Sequence, residues 1–173
     1  MSELLIGESF VGDGADAAHV NVVLGPRDGP AGAAWATALA TPRAGHVPFV
    51  AVVQPGLAVQ PPTLFVNKAA IEPGRHADLT WGAAQAGVAA GVADAVAEGV
   101  VAAEEVGELA LIAAVWVNPA AEDERAVFEN NREATLTALR NAREGAPPVD
   151  EVLAARDEPW NPFFRPVSEG GRR

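Results

Sequence analysis

Residues 81–99 read WGAAQAGVAAGVADAVAEG and contain the clearest helix of the chain, so they decide the fold. Alanine favours helix, and polar and apolar side chains recur here at steps of three and four residues. The pattern predicts a helix over residues 76–98 that ends before Gly99, because glycine is favoured just past a helix end. Internal glycines lower helix propensity, and we therefore expect close backbone packing at three of them, Gly82, Gly87 and Gly91.

Two apolar stretches on either side of this helix predict strands. Residues 63–70 read TLFVNKAA and precede it, whereas residues 109–117 read LALIAAVWV and follow it. Neighbouring side chains of a strand point to opposite faces, which places Lys68 on the same face as Leu64 and Val66. A strand, a helix and a second strand in this order are typical of a layered α/β arrangement.

The N-terminal part adds two predicted strands around a glycine-rich turn. Residues 3–11 form the first strand and residues 18–24 the second, and the Gly-Pro pair at 25–26 is expected to end it. Apolar and polar residues alternate along the second strand. This alternation places His19 and Asn21 together on one face, opposite the face of the buried valines.

The remaining patterns predict two more helices and one more strand. The helices run from Pro30 to about Ala40 and over residues 120–144, and the strand spans residues 47–54. We expect the large apolar side chains of the two helices to face the core, namely Trp35, Leu39, Val127, Phe128, Leu136 and Leu139.

The element order β-β-α-β-β-α-β-α predicts an α/β (α+β) domain in which the helices lie on one face of a mixed sheet. A chain of 173 residues suits a single domain. We place this domain at residues 1–145. Residues 146–173 form a proline-rich tail with the motif EPWNPFF, which either belongs to the same domain or packs on a neighbouring subunit.

The composition excludes several classes of protein. The chain has no cysteine, which rules out a thiol nucleophile and a disulfide framework. A formal net charge of −11 at pH 7 repels phosphate and anionic lipid, so we expect no nucleic-acid partner and no membrane partner. The sequence shows neither a signal peptide nor an apolar stretch of membrane length, and we predict a cytoplasmic protein. The spacing of the histidines does not fit a metal site, and we predict none.

His19 is the candidate for acid–base chemistry among the three histidines of the chain. It stands at the beginning of a strand, on the face of Asn21, where an imidazole can reach a cleft and titrate near neutral pH. A purely structural role fits the same pattern. We interpret His46 and His76 as surface or capping residues. Lys68 is the only lysine, which indicates either a compositional bias or a site that needs a compact ammonium group.

Three blocks of the chain form a specific combination: VGDGADAAHVNVVLGPRDGPAG near the N-terminus, PPTLFVNKAAI in the middle, and WGAAQAGVAAGVADAVAEG in the long helix. In this order and spacing the blocks resemble the formaldehyde-activating enzyme family. The resemblance runs from about Leu4 to Leu139, and the tail beyond Gly145 matches poorly. It implies a fold like the second domain of ribosomal protein S5, with a left-handed β-α-β crossover against the usual handedness.

Members of that family condense formaldehyde with the reduced pterin tetrahydromethanopterin, giving the methylene derivative and water. The resemblance implies a homopentamer that binds the pterin as a co-substrate between subunits, with no covalently bound cofactor. It also implies His19 as the catalytic proton donor. The residues matched to pterin contacts are Asn21, Val50, Lys68, Ala70 and Gln85.

Some of these positions depart from the family pattern. Asn21 stands where the family has aspartate and Ala70 where it has threonine, while Val50 replaces the usual leucine. Without a carboxylate, Asn21 supports a protonated His19 less well. We predict a carbon–oxygen hydro-lyase with His19 as general acid. Three alternatives stay open: a non-catalytic relative that binds pterin or senses formaldehyde, the same chemistry with a different carrier, and a Schiff-base nucleophile at Lys68.

Overall fold

The structure is a computed structural model that describes residues 4–165. Its strands are β1 (Leu5–Val11), β2 (Ala18–Pro26), β3 (Phe49–Val50), β4 (Val52–Gln54), β5 (Leu57–Ala58), β6 (Thr63–Asn67) and β7 (Leu109–Trp116). Its helices are α1 (Pro30–Ala40), α2 (Arg75–Leu79), α3 (Gln85–Ala97), α4 (Glu124–Glu144) and α5 (Val149–Ala154). Between residues 4 and 165, no helix combines the length and the apolar character that a bilayer crossing requires.

The main sheet mixes parallel and antiparallel pairing. Its strand order is β1-β2-β7-β6-β3, and β4 pairs with β5 in a small second sheet. β6 and β7 run parallel, whereas the other neighbours in the main sheet run antiparallel. A parallel pair needs a crossover connection, and the chain between β6 and β7 contains α2 and α3. The predicted mixed α/β class, built around the helix predicted over residues 76–98, is confirmed.

One face of the main sheet is buried beneath α3 and α4. α4 packs on β1 and β2, and α3 packs along α4. Every second side chain from residue 18 to residue 24 is completely buried on this face, namely Ala18, Val20, Val22 and Leu24. The predicted alternation in residues 18–24 is therefore confirmed.

α4 is the amphipathic helix predicted over residues 120–144. It begins later than predicted because the Asp123 carboxylate accepts the backbone N–H groups of residues 125 and 126 at 3.0 Å each. It ends at Glu144, and the φ of +66° at the next residue, Gly145, is the left-handed conformation that favours glycine after a helix. The predicted core contacts are confirmed, since three side chains are buried and the fourth packs against the core: Val127, Leu136 and Leu139, with Phe128.

The helix predicted over residues 76–98 is confirmed with one irregularity. α2 continues into α3 through a π-helical turn at Thr80–Ala84. Such a turn adds a residue to the helix and often marks a functional region. Gly99 follows the end of α3 with φ +75°, as predicted.

Two glycines of α3 let the backbones of α3 and α4 approach closely. A Cβ atom on Gly87 would lie 2.5 Å from the Phe128 carbonyl oxygen, and one on Gly91 would collide with the Arg132 carbonyl. The predicted close packing is confirmed at both positions. It is wrong for Gly82, which has open space where a side chain would be.

α1 packs on the opposite face of the main sheet from α3 and α4. A Cβ atom on Gly25 would lie 3.1 Å from the Cβ of Ala31 in α1, and Gly25 shares the strand face of His19. The prediction that all helices lie on one face is therefore wrong for α1, because the missing side chain of Gly25 makes room for it. Trp35 is half-buried, but Leu39 is exposed, so its predicted core contact is also wrong.

The strand predicted over residues 47–54 is divided at Ala51. The Ala51 N–H donates to the Thr63 carbonyl of β6 at 2.9 Å, whereas its carbonyl accepts the N–H of Val59 at 3.2 Å. The chain thus leaves the main sheet at Ala51 and enters the small sheet of β4 and β5.

Other strand ends also differ from the prediction. β2 continues through Pro26, because a proline at the last strand position removes no interior ladder bond. β6 ends at Asn67, because the Asn67 side chain donates to the Ala69 carbonyl at 2.5 Å and turns the chain. The strand predicted over residues 3–11 is confirmed from Leu5 onward, and residue 3 lies outside the described residues.

The tail contains a helix that the sequence did not predict. α5 lies within residues 146–173 and exposes Val149, Val152 and Leu153. The segment that follows, residues 158–165, is called the C-terminal arm below. The predicted tail residues 166–173 lie outside the described residues.

Gly87→Ala is expected to lower the free energy of unfolding by about 1–3 kcal/mol, because the added methyl group forces α3 away from α4. Gly82→Ala is the matched control, since it faces open space. Alanine there should leave stability unchanged or raise it by up to about 1 kcal/mol. Urea unfolding followed by circular dichroism measures both variants. Equal effects would contradict the close approach of the two helices.

Candidate functional site

The candidate site lies on the face of the main sheet that α3 and α4 leave uncovered. His19 and Asn21 point to this face from β2, since they alternate with the buried Val20 and Val22. α1 covers the other end of β2, beside Gly25. His19 and Asn21 thus lie together on an accessible face, as the sequence predicted.

His19 has an aromatic neighbour on each adjacent strand. Phe10 of β1 pairs with His19 on one side, and Trp116 of β7 pairs with it on the other. The ring centroids of Phe10 and His19 are 5.9 Å apart, with the ring planes tilted by 51°. The imidazole is therefore flanked by two large apolar rings that limit its movement and its contact with water.

Glu8 supplies a negative charge beside His19. It pairs with Asn21 in the ladder of β1 and β2, and its side chain reaches diagonally to His19. Glu8 Oε1 lies 2.9 Å from His19 Nε2. The side chains are 58% and 36% exposed, respectively, so solvent screens the pair. The contact therefore contributes chiefly by orienting the ring and fixing which nitrogen faces the carboxylate.

Lys68 reaches the same place from the end of β6. Its backbone N–H donates to the Val115 carbonyl at 2.8 Å, and its Nζ donates to Asn21 Oδ1 at 2.6 Å. Asn21 is therefore the hydrogen-bond acceptor of the lysine. The carboxylate beside the His19 ring belongs to Glu8, and Asn21 adds no negative charge there.

Partial burial lowers the pKa of both basic groups in the site. Burial is the main cause for the His19 imidazole and the Lys68 ammonium lowers its pKa further, while the Glu8 carboxylate raises it. Burial also lowers the pKa of Lys68 to about 8, against a smaller opposing effect of Glu8. Glu8 is thus the group that favours positive charge on both neighbours.

These groups open into a cavity of about 570 Å³, a size typical of small-molecule sites. The sheet contributes Glu8, Phe10, His19, Lys68 and Trp116 to its lining. The C-terminal arm contributes Trp160, Asn161, Pro162 and Phe163. Aromatic rings with a few charged groups suit a flat organic ligand that has a polar edge.

Gln85 lies in a different part of the molecule, at the start of α3. Its Oε1 accepts the N–H of Val52 at 2.6 Å, and the residue is largely buried. It borders a second, more open cavity of about 710 Å³ together with Trp81 and Phe128. Across residues 4–165, no side chain lines both cavities. Within one chain, therefore, the structure does not bring Gln85 to His19.

Val50 and Ala70 lie outside the His19 cavity. Val50 is half-buried in β3, where it pairs with Leu64 of β6. Ala70 is exposed, and a Cβ atom on Gly45 would lie 3.1 Å from its Cβ. The structure therefore joins three of the six matched residues, His19, Asn21 and Lys68, and leaves the other three apart.

The other two histidines have no part in this site. The His76 Nδ1 accepts the N–H of Glu72 at 3.0 Å, and its Nε2 lies 3.0 Å from the Val117 carbonyl. His76 is buried, so its interpretation as a surface residue is wrong, because backbone partners satisfy its ring in the interior. His46 is exposed. The described part of the chain holds no cluster of three or more histidine and acidic side chains that could bind a metal ion.

Comparison with known proteins connects this geometry with a family. A family profile described as "Formaldehyde-activating enzyme (Fae)" matches residues 6–164. The chain belongs to the formaldehyde-activating enzyme family. The match extends well beyond Gly145, so the expectation that the tail resembles the family poorly is wrong. Most of the C-terminal arm is part of the family pattern.

Similar proteins include both single-function and bifunctional members. The 5,6,7,8-tetrahydromethanopterin hydro-lyase of Methanosarcina barkeri is 42% identical over 159 residues, which cover 92% of this chain and 89% of that protein. The bifunctional enzyme Fae/Hps of Archaeoglobus fulgidus is 40% identical over 161 residues, 93% of this chain but 41% of that protein. The bifunctional enzyme Fae/Hps of Methanothrix thermoacetophila is 39% identical over 160 residues, which cover 92% of this chain and 41% of that protein. The chain thus spans well under half the length of these bifunctional relatives.

The sequence alone did not identify Glu8, Phe10 and Trp116 as neighbours of His19. Alternation in β1 places Glu8 and Phe10 on one face, and pairing across the turn brings both to His19. That signal was present, but residues 12–17 allow several registers between the two strands. Trp116 could not be found, because no sequence pattern fixed β7 as the other neighbour of β2.

Glu8→Gln is expected to lower the pKa of His19 further, because it removes the carboxylate that raises it. The imidazolium would then lose its proton at a lower pH than in the wild type. NMR titration of the imidazole C–H resonances measures this shift, and His19→Asn identifies the resonance. Glu129→Gln is the control, since Glu129 pairs with Arg125 on α4. A His19 pKa that Glu8→Gln leaves unchanged would contradict the ion pair.

Proposed function

We propose that this protein condenses formaldehyde with a reduced pterin, tetrahydromethanopterin, to give the methylene derivative and water. It is then a carbon–oxygen hydro-lyase of one-carbon metabolism. Family membership and similarity to a tetrahydromethanopterin hydro-lyase support the proposal. The observation that carries it is that two matched residues, His19 and Lys68, meet in one open cavity.

The chemistry proceeds through a carbinolamine. A secondary amine of the pterin adds to the formaldehyde carbon, and the amine proton passes through solvent to the oxygen. The C–O bond breaks as the His19 imidazolium gives its proton to the hydroxyl group, so water leaves and an iminium remains. The second pterin nitrogen attacks that carbon, and its proton returns to the imidazole. General acid catalysis of this kind contributes roughly 10²–10⁴-fold.

Glu8 makes the acid form of His19 available. Burial and the Lys68 ammonium both favour the neutral imidazole, and Glu8 opposes them. Its carboxylate engages Nε2. In this proposal Nδ1 is the ring nitrogen that gives its proton to the hydroxyl leaving group. The lowered pKa makes the imidazolium a stronger acid, although a smaller fraction is protonated at neutral pH.

Lys68, Asn21 and Ala70 concern the binding of the reduced pterin that carries the one-carbon unit, called the carrier below. An ammonium group has three hydrogens, and Asn21 accepts one of them, so two remain for acceptor atoms of the carrier. Asn21 and Ala70 differ from the family pattern, which favours two alternatives. One is the same reaction with another reduced carrier. The other is a protein that binds pterin or senses formaldehyde without turnover.

Gln85 joins the site through a neighbouring subunit. Within one chain Gln85 and His19 line separate cavities. The family implies a homopentamer that binds the pterin between subunits. In such a ring the Gln85 side of one subunit faces the His19 cavity of the next, and each site takes residues from two chains.

The specific fold and the domain boundaries are also part of what we propose from family membership. The family implies a fold like the second domain of ribosomal protein S5, with a left-handed crossover from β6 through α2 and α3 to β7. Residues 1–145 would form this domain. Residues 146–173 would form a tail that belongs to it or packs on a neighbour. A cytoplasmic location and the absence of a nucleic-acid partner remain predictions from the sequence.

His19→Gln is expected to lower kcat by roughly 10²–10⁴-fold, because the proton donor is lost while the cavity remains. In the wild type, the catalysed rate should fall as the pH rises through the lowered pKa of His19, since the imidazolium is the acting form. This limb of the pH profile should disappear in the variant. Stopped-flow absorbance of methylene formation, corrected for the spontaneous reaction, measures both effects.

His46→Gln is the matched control for this experiment, because His46 is exposed and lies outside the cavity. It should keep the wild-type rate and pH profile. Wild-type kinetics in His19→Gln would remove His19 from the role of acid. A wild-type protein that binds the pterin without accelerating the reaction would favour the non-catalytic alternative.

A mixed oligomer of His19→Gln and Gln85→Glu chains is expected to recover part of the activity that each variant lacks. Some interfaces of the mixture combine an intact His19 with an intact Gln85 from the neighbouring chain. Glutamate at position 85 keeps the acceptor for the Val52 N–H. Co-expression with two affinity tags isolates the mixed oligomer, and its rate is compared with that of each pure variant. Failure to recover any activity would contradict a site shared between subunits.

A further inference from the structure

The C-terminal arm ends in a turn that folds on itself. Asn161 and Phe164 exchange two backbone hydrogen bonds of 2.9 and 3.1 Å. The Asn161 side chain accepts the N–H of Phe163 at 2.9 Å. Pro162 occupies the second position of the turn, which proline favours. The hydrogen bonds of this turn are thus all formed among residues 161–164.

The arm presents aromatic rings to the cavity instead of to the core. Trp160 is 66% exposed and Phe163 is 81% exposed, yet both line the cavity that contains His19. The Arg165 guanidinium lies 5.0 Å from the centroid of the Trp160 ring and occupies one of its faces. Large exposed rings that border a cavity indicate a binding surface.

Stabilisation of the fold does not explain these rings. The arm contacts the sheet through an edge-to-face pair of the Phe163 and Trp116 rings, with centroids 5.7 Å apart and planes at 88°. One edge-to-face pair is a weak attachment compared with burial of a whole ring. α5, which leads to the arm, also exposes its apolar side chains Val149 and Leu153. The rings thus remain available for another partner.

We propose that Trp160 and Phe163 bind the flat, heteroaromatic ring of the one-carbon carrier by its face, so that the C-terminal arm forms one wall of the carrier site. This inference rests on the proposed function and adds residues to it. The carrier ring then lies between the arm and the aromatic floor formed by Phe10 and Trp116. Its polar edge reaches His19 and Lys68.

The shape and chemistry of the cavity favour the carrier over formaldehyde as the partner of the arm. The cavity volume of about 570 Å³ far exceeds the volume of a formaldehyde molecule. The charged groups, Glu8, His19 and Lys68, come from the sheet, whereas the arm adds chiefly aromatic and amide groups. A planar ring with hydrogen-bonding atoms at its edge matches this division. For the carrier ring to lie between them, Phe163 must leave its edge-to-face contact with Trp116.

Phe163→Ala and Trp160→Ala are each expected to raise the Kd of tetrahydromethanopterin by about tenfold, because each removes one stacking partner. The KM for the carrier should rise in the same proportion, and the KM for formaldehyde should stay unchanged. Phe163→Tyr keeps the ring and should restore binding. Anaerobic isothermal titration calorimetry gives the Kd, and stopped-flow kinetics gives the KM values.

Phe164→Ala is the matched control, because Phe164 contributes backbone atoms to the same turn but does not line the cavity. It should bind the carrier like the wild type. If Phe163→Ala and Trp160→Ala also bind like the wild type, the role of the arm is overturned while the proposed function stands. If Phe163→Tyr binds as weakly as Phe163→Ala, recognition by the ring face is contradicted. A wild type that neither binds the carrier nor accelerates the reaction overturns both proposals.

Discussion

The site depends on the register of β2, a strand with one face sealed against the helices. A slip of one residue would move Val20, Val22 and Leu24 to the open face and turn His19 into the core. Each of these buried side chains contributes roughly 1.5–3 kcal/mol, so the slipped arrangement is strongly disfavoured. Pairing with β1 and β7 on either side fixes the register further. The apolar face thus sets the position of the imidazole on the opposite face.

The buried core and the candidate site consequently lie on opposite faces of the main sheet. α3 and α4 share the covered face because Gly87 and Gly91 let their backbones approach. The bidentate pair of Arg132 with Asp94, at 2.6 and 2.8 Å, joins the two helices and lowers the pKa of the Asp94 carboxyl group. With both helices on one face, the other face is left to form the cavity that contains His19.

Structural features that local periodicity controls were predicted from the sequence. Features that depend on contacts between distant parts of the chain were missed. The helix over residues 76–98 and the outward face of His19 follow from spacing alone, as the structure confirms. The placement of α1 depended on the missing side chain of Gly25, whose neighbour no pattern reveals. Glu8 was missed because the sequence did not fix the register of the β1–β2 hairpin. The C-terminal arm was missed because no local pattern connects residues 158–165 with β2. The resemblance supplied Lys68, which spacing could place on a face but not beside Asn21.

The Glu8 carboxylate interacts with two basic groups of the site, His19 and Lys68. Asn21 is neutral, so Glu8 is the carboxylate that faces both His19 and Lys68, and it raises the pKa of each. When Lys68 is charged and His19 is neutral, the three groups carry no net charge. Protonation of His19 adds a positive charge that the Lys68 ammonium repels, and loss of that proton relieves the repulsion. The same neighbour that makes the imidazolium scarce therefore also makes it a better proton donor. An aspartate at position 21 would weaken this coupling by compensating the charge of Lys68, whereas Asn21 accepts the lysine hydrogen bond without adding a charge.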